Sequence, residues 1–288
     1  MKIKKVLVSI IINCHNGEKY LREALLSLKN QKYKYFEVIF WDNNSSDNSK
    51  KIYLNFVDKR FKYFSSNKKL KLYQARNLAL SKCSGDLITF LDTDDIWLKN
   101  KLLEEVSEYK KNKFDILYSS YYIKNKISKK LRLKKVKSIS SDYQNHYLKN
   151  YDVALVTICI NKESFKKKNT IFDSNYNIIG DFDFMMKMSK FSKISILKKP
   201  LAIYRVHNNN YTNQNYFELG NELRLWVDKN KKLQKLSNFR YFYNRLLYYE
   251  SLGEFDNRRY YNFIKIIFRI IFTTLFIKAI YHIFKKKL

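Results

Sequence analysis

Asp92-Thr93-Asp94-Asp95 sets three carboxylates within four residues, a concentration of charge that raises proton affinity unless a cation shares the site. Hard oxygen ligands of this kind suit Mg2+ or Mn2+, which bridge diphosphate oxygens and offset the charge of a departing phosphate group. A solvated acidic turn or a helix cap is the plainer alternative, because Asp favours both. Two other polar clusters, Asn13-Cys14-His15-Asn16 and Asp42-Asn43-Asn44-Ser45-Ser46-Asp47, and a later stretch, Gly180-Asp181-Phe182-Asp183, carry groups able to bind a polar ligand or accept a proton.

The first three clusters each follow a run with the composition of a buried strand. Val6 to Ile12 is short, β-branched and continuously apolar, Phe36 to Trp41 is a second such run, and Asp86 to Leu91 breaks at the aspartates. Glu18 to Asn30 reads as a helix, with Tyr20, Leu21, Ala24, Leu25 and Leu28 on one face. Ser46 to Phe56, Tyr73 to Lys82 and Lys99 to Lys111 are further helices, and Phe61 to Phe64 and Phe114 to Tyr118 further strands. This alternation predicts an α/β fold with a doubly wound, mostly parallel sheet, in which ligands gather beyond the carboxyl ends of the strands. The three clusters should therefore converge on one crevice.

Ile123 to Ser141 is Lys-rich and reads as an exposed hairpin or loop. Beyond it come an apolar run, Ala154 to Ile160, and two extended segments, Ile194 to Leu197 and Leu201 to His207. After about residue 212 the alternation stops and the sequence turns helical and aromatic. A domain over 1–211 and a helical extension over 212–288 are expected.

The chain of 288 residues is 45% apolar, enough for a sizeable core. Its formal charge of +31 points to a polyanion or an anionic membrane. Abundant Lys, Asn, Ile, Tyr and Phe beside five Gly and one Pro is equally what an AT-rich coding sequence produces. A nucleic-acid-binding module would need basic and aromatic side chains interleaved on one surface; acidic clusters at the crevice repel phosphates instead, so no nucleic-acid partner is expected. A sugar-1-phosphate nucleotidyltransferase would carry a Gly-rich basic loop after the first strand, where Asn13-Cys14-His15-Asn16-Gly17 stands. Cys14, Cys83 and Cys159 are odd in number and far apart, which suggests neither disulfides nor a zinc site and fits a reducing cytoplasm. The amino-terminal apolar run ends without a small-residue cleavage site, as a strand and not a signal peptide.

Ser9 to Asn16 with Tyr20-Leu21, then Trp41 to Asp47, Ala75-Arg76-Asn77, Gly85-Asp86 running into Leu91 to Asp95, Gly180 to Asp183 and Tyr204 to His207 together resemble glycosyltransferase family 2, over about the first 210 residues. The resemblance implies a GT-A fold and a nucleoside-diphosphate sugar donor, with UDP favoured. It further implies Mn2+ or Mg2+ as cofactor, and transfer with inversion to a saccharide or lipid-linked glycan in surface polysaccharide, lipooligosaccharide or capsule synthesis. It makes Asp94 the principal metal ligand, with Asp92 on the metal or the donor ribose and His207 a secondary ligand. Asp181 becomes the general base, with Asp183 in reserve; the alternative is that Asp181 only caps the following helix. Asn13, His15, Asp42, Asn43, Arg76, Asp92 and Thr93 would contact the donor, although Arg76 reads equally as an exposed helix residue in a salt bridge.

Three departures stand out. Asn13-Cys14-His15-Asn16 replaces the family's Pro-Thr-Tyr-Asn, so that His15 would have to approximate the stacking of the Tyr. Asn43 replaces an Asp that reads the base, and Gly180 replaces the Glu of the Glu-Asp pair.

Phe263 to Phe284 is strongly apolar, but Lys265, Arg269 and Lys278 interrupt it and no uncharged run approaches the ~20 residues a span requires. A basic amphipathic helix over 262–288, closing with Lys285-Lys286-Lys287, is expected to lie on an anionic membrane surface. That places the protein on the inner face of the cytoplasmic membrane; docking on its own domain or a second subunit is the alternative.

Overall fold

The computed structural model describes residues 5–56, 58–125, 130–139, 142–167, 171–207 and 210–287, with side chains described up to residue 282. Nine strands form one sheet: β1 (Val8–Cys14), β2 (Phe36–Asp42), β3 (Phe61–Ser65), β4 (Leu87–Phe90), β5 (Ile96–Trp97), β6 (Ile116–Asn125), β7 (Leu131–Lys134), β8 (Cys159–Asn161) and β9 (Ile194–Val206). Their order is β3-β2-β1-β4-β8-β6-β9-β5, with β7 on β6. The neighbours β3, β2, β1 and β4 are parallel, as are the two long strands β6 and β9. Antiparallel β8 joins these two parts.

The helices are α1 (Glu18–Lys29), α2 (Ser49–Leu54), α3 (Leu72–Leu80), α4 (Lys101–Asn112), α5 (Tyr143–Lys149), α6 (Lys162–Lys167), α7 (Gly180–Met188), α8 (Tyr211–Gln214), α9 (Tyr216–Lys229), α10 (Phe239–Asp256), α11 (Tyr260–Ile267) and α12 (Thr274–Lys287). Every residue of β1 and β2 is buried, which explains why both read as unbroken apolar runs: helices cover both faces of a parallel sheet. From α1, Leu21, Ala24, Leu25 and Leu28 enter the main core beside Val8, Ile10 and Ile12.

Glu37, buried on β2, ties the sheet together. It accepts hydrogen bonds from Ser9 Oγ (2.6 Å), Lys62 Nζ (2.8 Å) and the Ser84 backbone N–H (2.6 Å). Burial alone would raise its pKa, but these donors more than offset that and hold it down at about 2. A depressed carboxyl stabilises the fold fully above its unfolded value and loses that contribution as the pH falls through the folded one. In urea unfolding, stability should therefore fall more steeply between about pH 4.5 and 2 in the wild type than in Glu37→Gln, by an amount on the order of 1–3 kcal/mol.

The sequence-based expectations need revision in places. Ile194–Leu197 and Leu201–His207 are one strand, β9, with a register shift where exposed Lys198 and Lys199 precede Pro200; proline lacks the ladder N–H, and the extra residues carry the strand past it. The apolar run 154–160 begins as a 3-10 turn over Leu155–Thr157, closed by Thr157 Oγ1 on the Ala154 carbonyl (2.7 Å), before β8. The Lys-rich segment is a hairpin of β6 and β7, as one of its two expected forms, with residues 126–129 and 140–141 outside the described residues. Two-residue β5 pairs with β9 and was too short to announce itself in the sequence.

The chain divides into two compact units, 1–138 with 152–207, and 139–151 with 208–288. The second unit is helical. Trp226 packs on Phe242 with ring centroids 5.0 Å apart, Arg224 pairs with both oxygens of Glu250, and Asn145 of α5 bonds Ser237 and Asn238. The single helix expected over 262–288 is instead α11, a 3-10 turn at Phe268–Ile270, and α12. Ile267, Ile270 and Ala279 are buried with Leu247 and Leu252, so part of this segment docks within its own unit. Tyr261, Phe268, Phe272 and Ile277 remain exposed, Phe272 completely. The closing lysines 285–287 lie outside the described side chains.

Candidate active site

Strands β1, β2 and β4 run parallel and end beside one another, so the loops that follow them share one edge of the sheet. The first two loops are fastened together. Asn16 and Asn44 take left-handed conformations (φ 54° and 61°), which Asn tolerates better than most residues. Asn16 Oδ1 accepts the Ser46 N–H (2.8 Å), and Gly17 and Glu18 donate backbone N–H groups to Ser49 Oγ and Asp47 Oδ2 (both 2.9 Å). Asn13, at the mouth of β1, is buried with both amide atoms lacking a hydrogen-bond partner among the described residues. A buried, unpaired carboxamide is costly in an empty site and is relieved by a polar ligand.

The turn Asp92–Asp95 follows β4 and is held by β9. Arg205 donates its backbone N–H to Asp95 Oδ1 (2.9 Å) and its Nε to the Asp94 carbonyl (2.8 Å), and its guanidinium reaches Glu23 of α1 at 3.0 Å. Two residues on, His207 sets Nε2 3.0 Å from Asp94 Oδ2 and stacks on Tyr20. Burial first, then the Asp92 charge, pushes the Asp94 carboxyl up; burial with Asp94 and Asp92 pushes Asp95 higher still. Thr93 packs beneath the first loop, against Gly17.

Arg76 of α3 is buried, with Nη2 2.7 Å from Asp92 Oδ1 and its guanidinium 4.9 Å from the Tyr73 ring centroid. The salt bridge of the alternative reading exists, but with Arg76 buried and only Asp92 partly exposed. Removing Asp92 would leave the Arg76 charge buried and unpaired, the costlier of the two deletions. Tyr73 in turn donates from its hydroxyl to Asp181 Oδ1 (3.2 Å). Asp181 stands in the first turn of α7, whose N-cap residue is Ile179, so it is not the helix cap. Asp183 is buried and paired with Lys187 at 2.6 Å.

The sites expected from the sequence thus meet in two linked groups: Asp94 with His207, and Asp92 with Arg76, Tyr73 and Asp181. Two expected donor contacts are already engaged. Asn43 Oδ1 accepts from Leu70 N–H (2.9 Å) and Ser66 Oγ (3.1 Å), occupying both lone pairs, and Asp42 accepts from Ser45 N–H and Tyr63 hydroxyl. Both shape the loops, and Asp42, with one bond at each oxygen, retains acceptor capacity. His15 is exposed, its ring tethered by Nδ1 to the Asn43 carbonyl (3.1 Å).

Residues 9–195 match the family described as Glycosyl transferase family 2. The chain belongs to glycosyltransferase family 2. It is 34% identical over 156 residues to WfgD of Escherichia coli, a UDP-Glc:alpha-D-GlcNAc-diphosphoundecaprenol beta-1,3-glucosyltransferase, in a match covering 54% of this chain and 60% of that protein. Among solved structures, S. aureus TarS 1–349 with UDP-GlcNAc superposes at a TM-score of 0.71 and 19% identity, over 90% of this chain and 79% of that one. The mannosyltransferase PcManGT from Pyrobaculum calidifontis, with GDP-Man and Mn2+, does so at 0.58 and 12%, over 85% and 72%. These structural likenesses establish the GT-A fold, with helices at the carboxyl terminus.

Family 2 membership selects the glycosyltransferase reading over a nucleotidyltransferase or a nucleic-acid-binding module. The residues present also fit a divalent cation. Asp94 and His207 offer an oxygen and a nitrogen donor side by side, and a cation there would relieve both the burial of the Asp94 charge and its repulsion by Asp92. Among the described residues no three such side chains already stand arranged as ligands, and Asp92 spends one oxygen on Arg76. Three contributors were missed from the sequence. Arg205 lay in plain view two residues before His207. Glu23 and Tyr73 gave no signal, since their roles depend on contacts 182 and 108 residues away along the chain.

Proposed function

We propose that this family 2 glycosyltransferase moves one sugar from a nucleoside-diphosphate donor, UDP in preference, to a saccharide or lipid-linked glycan with inversion. The catalytic part lies within 1–211 and the helical extension in 212–288. The observation that carries this reading is the network joining the aspartate turn to Asp181 through Arg76 and Tyr73, which supports a base and a diphosphate site within one crevice. The acceptor hydroxyl oxygen forms a bond to C1 of the sugar, the bond from C1 to the nucleotide oxygen breaks, and the hydroxyl proton passes to Asp181. Asp94 and His207 would hold Mn2+ or Mg2+, which neutralises the departing diphosphate. Asn13, His15 and Thr93 line the donor side.

WfgD's named donor and lipid-diphosphate acceptor, and the nucleotide-sugars bound by TarS and PcManGT, support the choice of substrates. The chain spans 60% of WfgD's length, so surface polysaccharide, lipooligosaccharide or capsule synthesis is the proposed setting. The test is incubation with UDP-sugars and a diphospholipid-linked sugar, followed by NMR of the product. An added sugar of inverted anomeric configuration is expected, and a retained configuration would overturn the single displacement.

No helix among the described residues is long and apolar enough to cross a membrane. The exposed Phe268 and Phe272, with Lys265, Arg269 and Lys278 on the same segment, support a peripheral attachment to anionic lipid at the inner face of the cytoplasmic membrane. Replacing both Phe268 and Phe272 with Ser should weaken sedimentation with phosphatidylglycerol vesicles by about tenfold or more. Equal sedimentation of variant and wild type would remove the segment from membrane binding.

A further inference from the structure

Helix α7 opens at Gly180, immediately before Asp181. A Cβ added at Gly180 would stand 2.3 Å from Cδ2 of Tyr73 and 2.5 Å from its Cε2 and Cγ, so the ring of Tyr73 lies directly on the glycine backbone. No other residue type fits there while the ring is in place. The ring is itself confined: it is buried, packs on Phe172 with centroids 5.2 Å apart, and carries the Arg76 guanidinium at 4.9 Å. Its hydroxyl ends 3.2 Å from Asp181 Oδ1.

We propose that Tyr73 is a positioning residue for Asp181: its ring seats the first turn of α7 through Gly180, and its hydroxyl fixes the carboxylate in one orientation and favours its ionised form. The proposal rests on Asp181 being the base. It also gives a physical reason for Gly180, where the resemblance expects a glutamate. The volume beside Asp181 is filled from α3, and the polar partner comes from α3 with it. A side chain at 180 and a ring at 73 exclude one another.

A hydroxyl that donates to a carboxylate stabilises the charged form and lowers its pKa. Burial, then the Asp181 charge, holds the Tyr73 phenol well above its ordinary value, so it stays protonated and remains a donor throughout the working range. Asp181 also faces Arg76 from α3 and Tyr121 from β6, with Asp183, already paired to Lys187, on its own helix. Tyr73→Phe leaves all three of these side chains in place.

Tyr73→Phe keeps the ring and deletes the oxygen. The expected result is a kcat about tenfold lower with donor KM within about twofold, and an acid limb of kcat/KM displaced to higher pH by about half a unit to one unit. The direction follows because the base must be ionised to act and loses a group that favours ionisation. Should Tyr73→Phe fold poorly, Tyr73→Leu with Gly180→Ala refills the space without a hydroxyl and must show the same loss of kcat. Wild-type kcat and pH profile in either variant overturns the proposal and leaves Tyr73 as packing alone. Asp181→Asn separates the two levels. An inactive Asp181→Asn beside an unaltered Tyr73→Phe rejects only the positioning role, whereas ordinary turnover by Asp181→Asn rejects the base itself.

Discussion

Asp181→Asn should lower sugar transfer by about 10²–10⁴-fold, the range set by losing a general base, while donor binding and folding stay intact. The substitution is isosteric, and the amide oxygen can still accept the Tyr73 hydroxyl at the 3.2 Å position. What disappears is only the capacity to take a proton. Asp183 cannot replace it, being buried and paired with Lys187. The loss should therefore appear in kcat, and the melting temperature should barely move. Steady-state kinetics with a thermal melt of the same sample checks both halves. A loss of rate accompanied by an equal loss of folded protein would point to a structural role instead.

Asp94→Asn should cost about 10²–10³-fold in kcat, the scale for removing one electrostatic stabiliser of developing charge, and should do so with a neutral or favourable effect on stability. Burial, followed by repulsion from Asp92, raises the Asp94 carboxyl; a raised carboxyl lessens stability as the pH climbs through its folded value. Taking the charge away relieves that repulsion at neutral pH. The turn itself should persist, since Arg205 holds the Asp94 carbonyl and the Asp95 carboxylate, not the Asp94 side chain. Activity and stability thus move in different directions, a pairing that general damage to the fold does not produce. Thermal melts without metal over a series of pH values check the stability half, and the advantage of the variant should grow as the pH rises.

Much of the sheet could be read from the chain because its central strands are buried on both faces and therefore continuously apolar, as in β1 and β2. The converging loops followed from parallel strands alone. Features set by distant contacts were less visible. Pro200 and two exposed lysines looked like a gap between strands, whereas β6 carries β9 across them. Asn43 looked like a reader of the base, yet its amide is engaged by Ser66 and Leu70. Gly180 looked like the loss of an acidic group, and only the Tyr73 ring against its Cα shows what took the space. In the helical extension, amphipathic spacing suggested one surface helix, but Ile267, Ile270 and Ala279 are drawn into the packing of α10 and bend the segment in two. In each case the deciding neighbour lies outside the window over which periodicity operates.

The most direct measurement is a calorimetric titration of a UDP-sugar into the wild-type chain and into Asp94→Asn, each with and without Mn2+. A crevice that holds the donor diphosphate through Asp94 and a divalent cation predicts saturable binding by the wild type that weakens at least about tenfold when Mn2+ is withdrawn, and an Asp94→Asn protein whose weaker binding no longer responds to the ion. Tight binding of the UDP-sugar that is indifferent to both Mn2+ and the Asp94 substitution would contradict it.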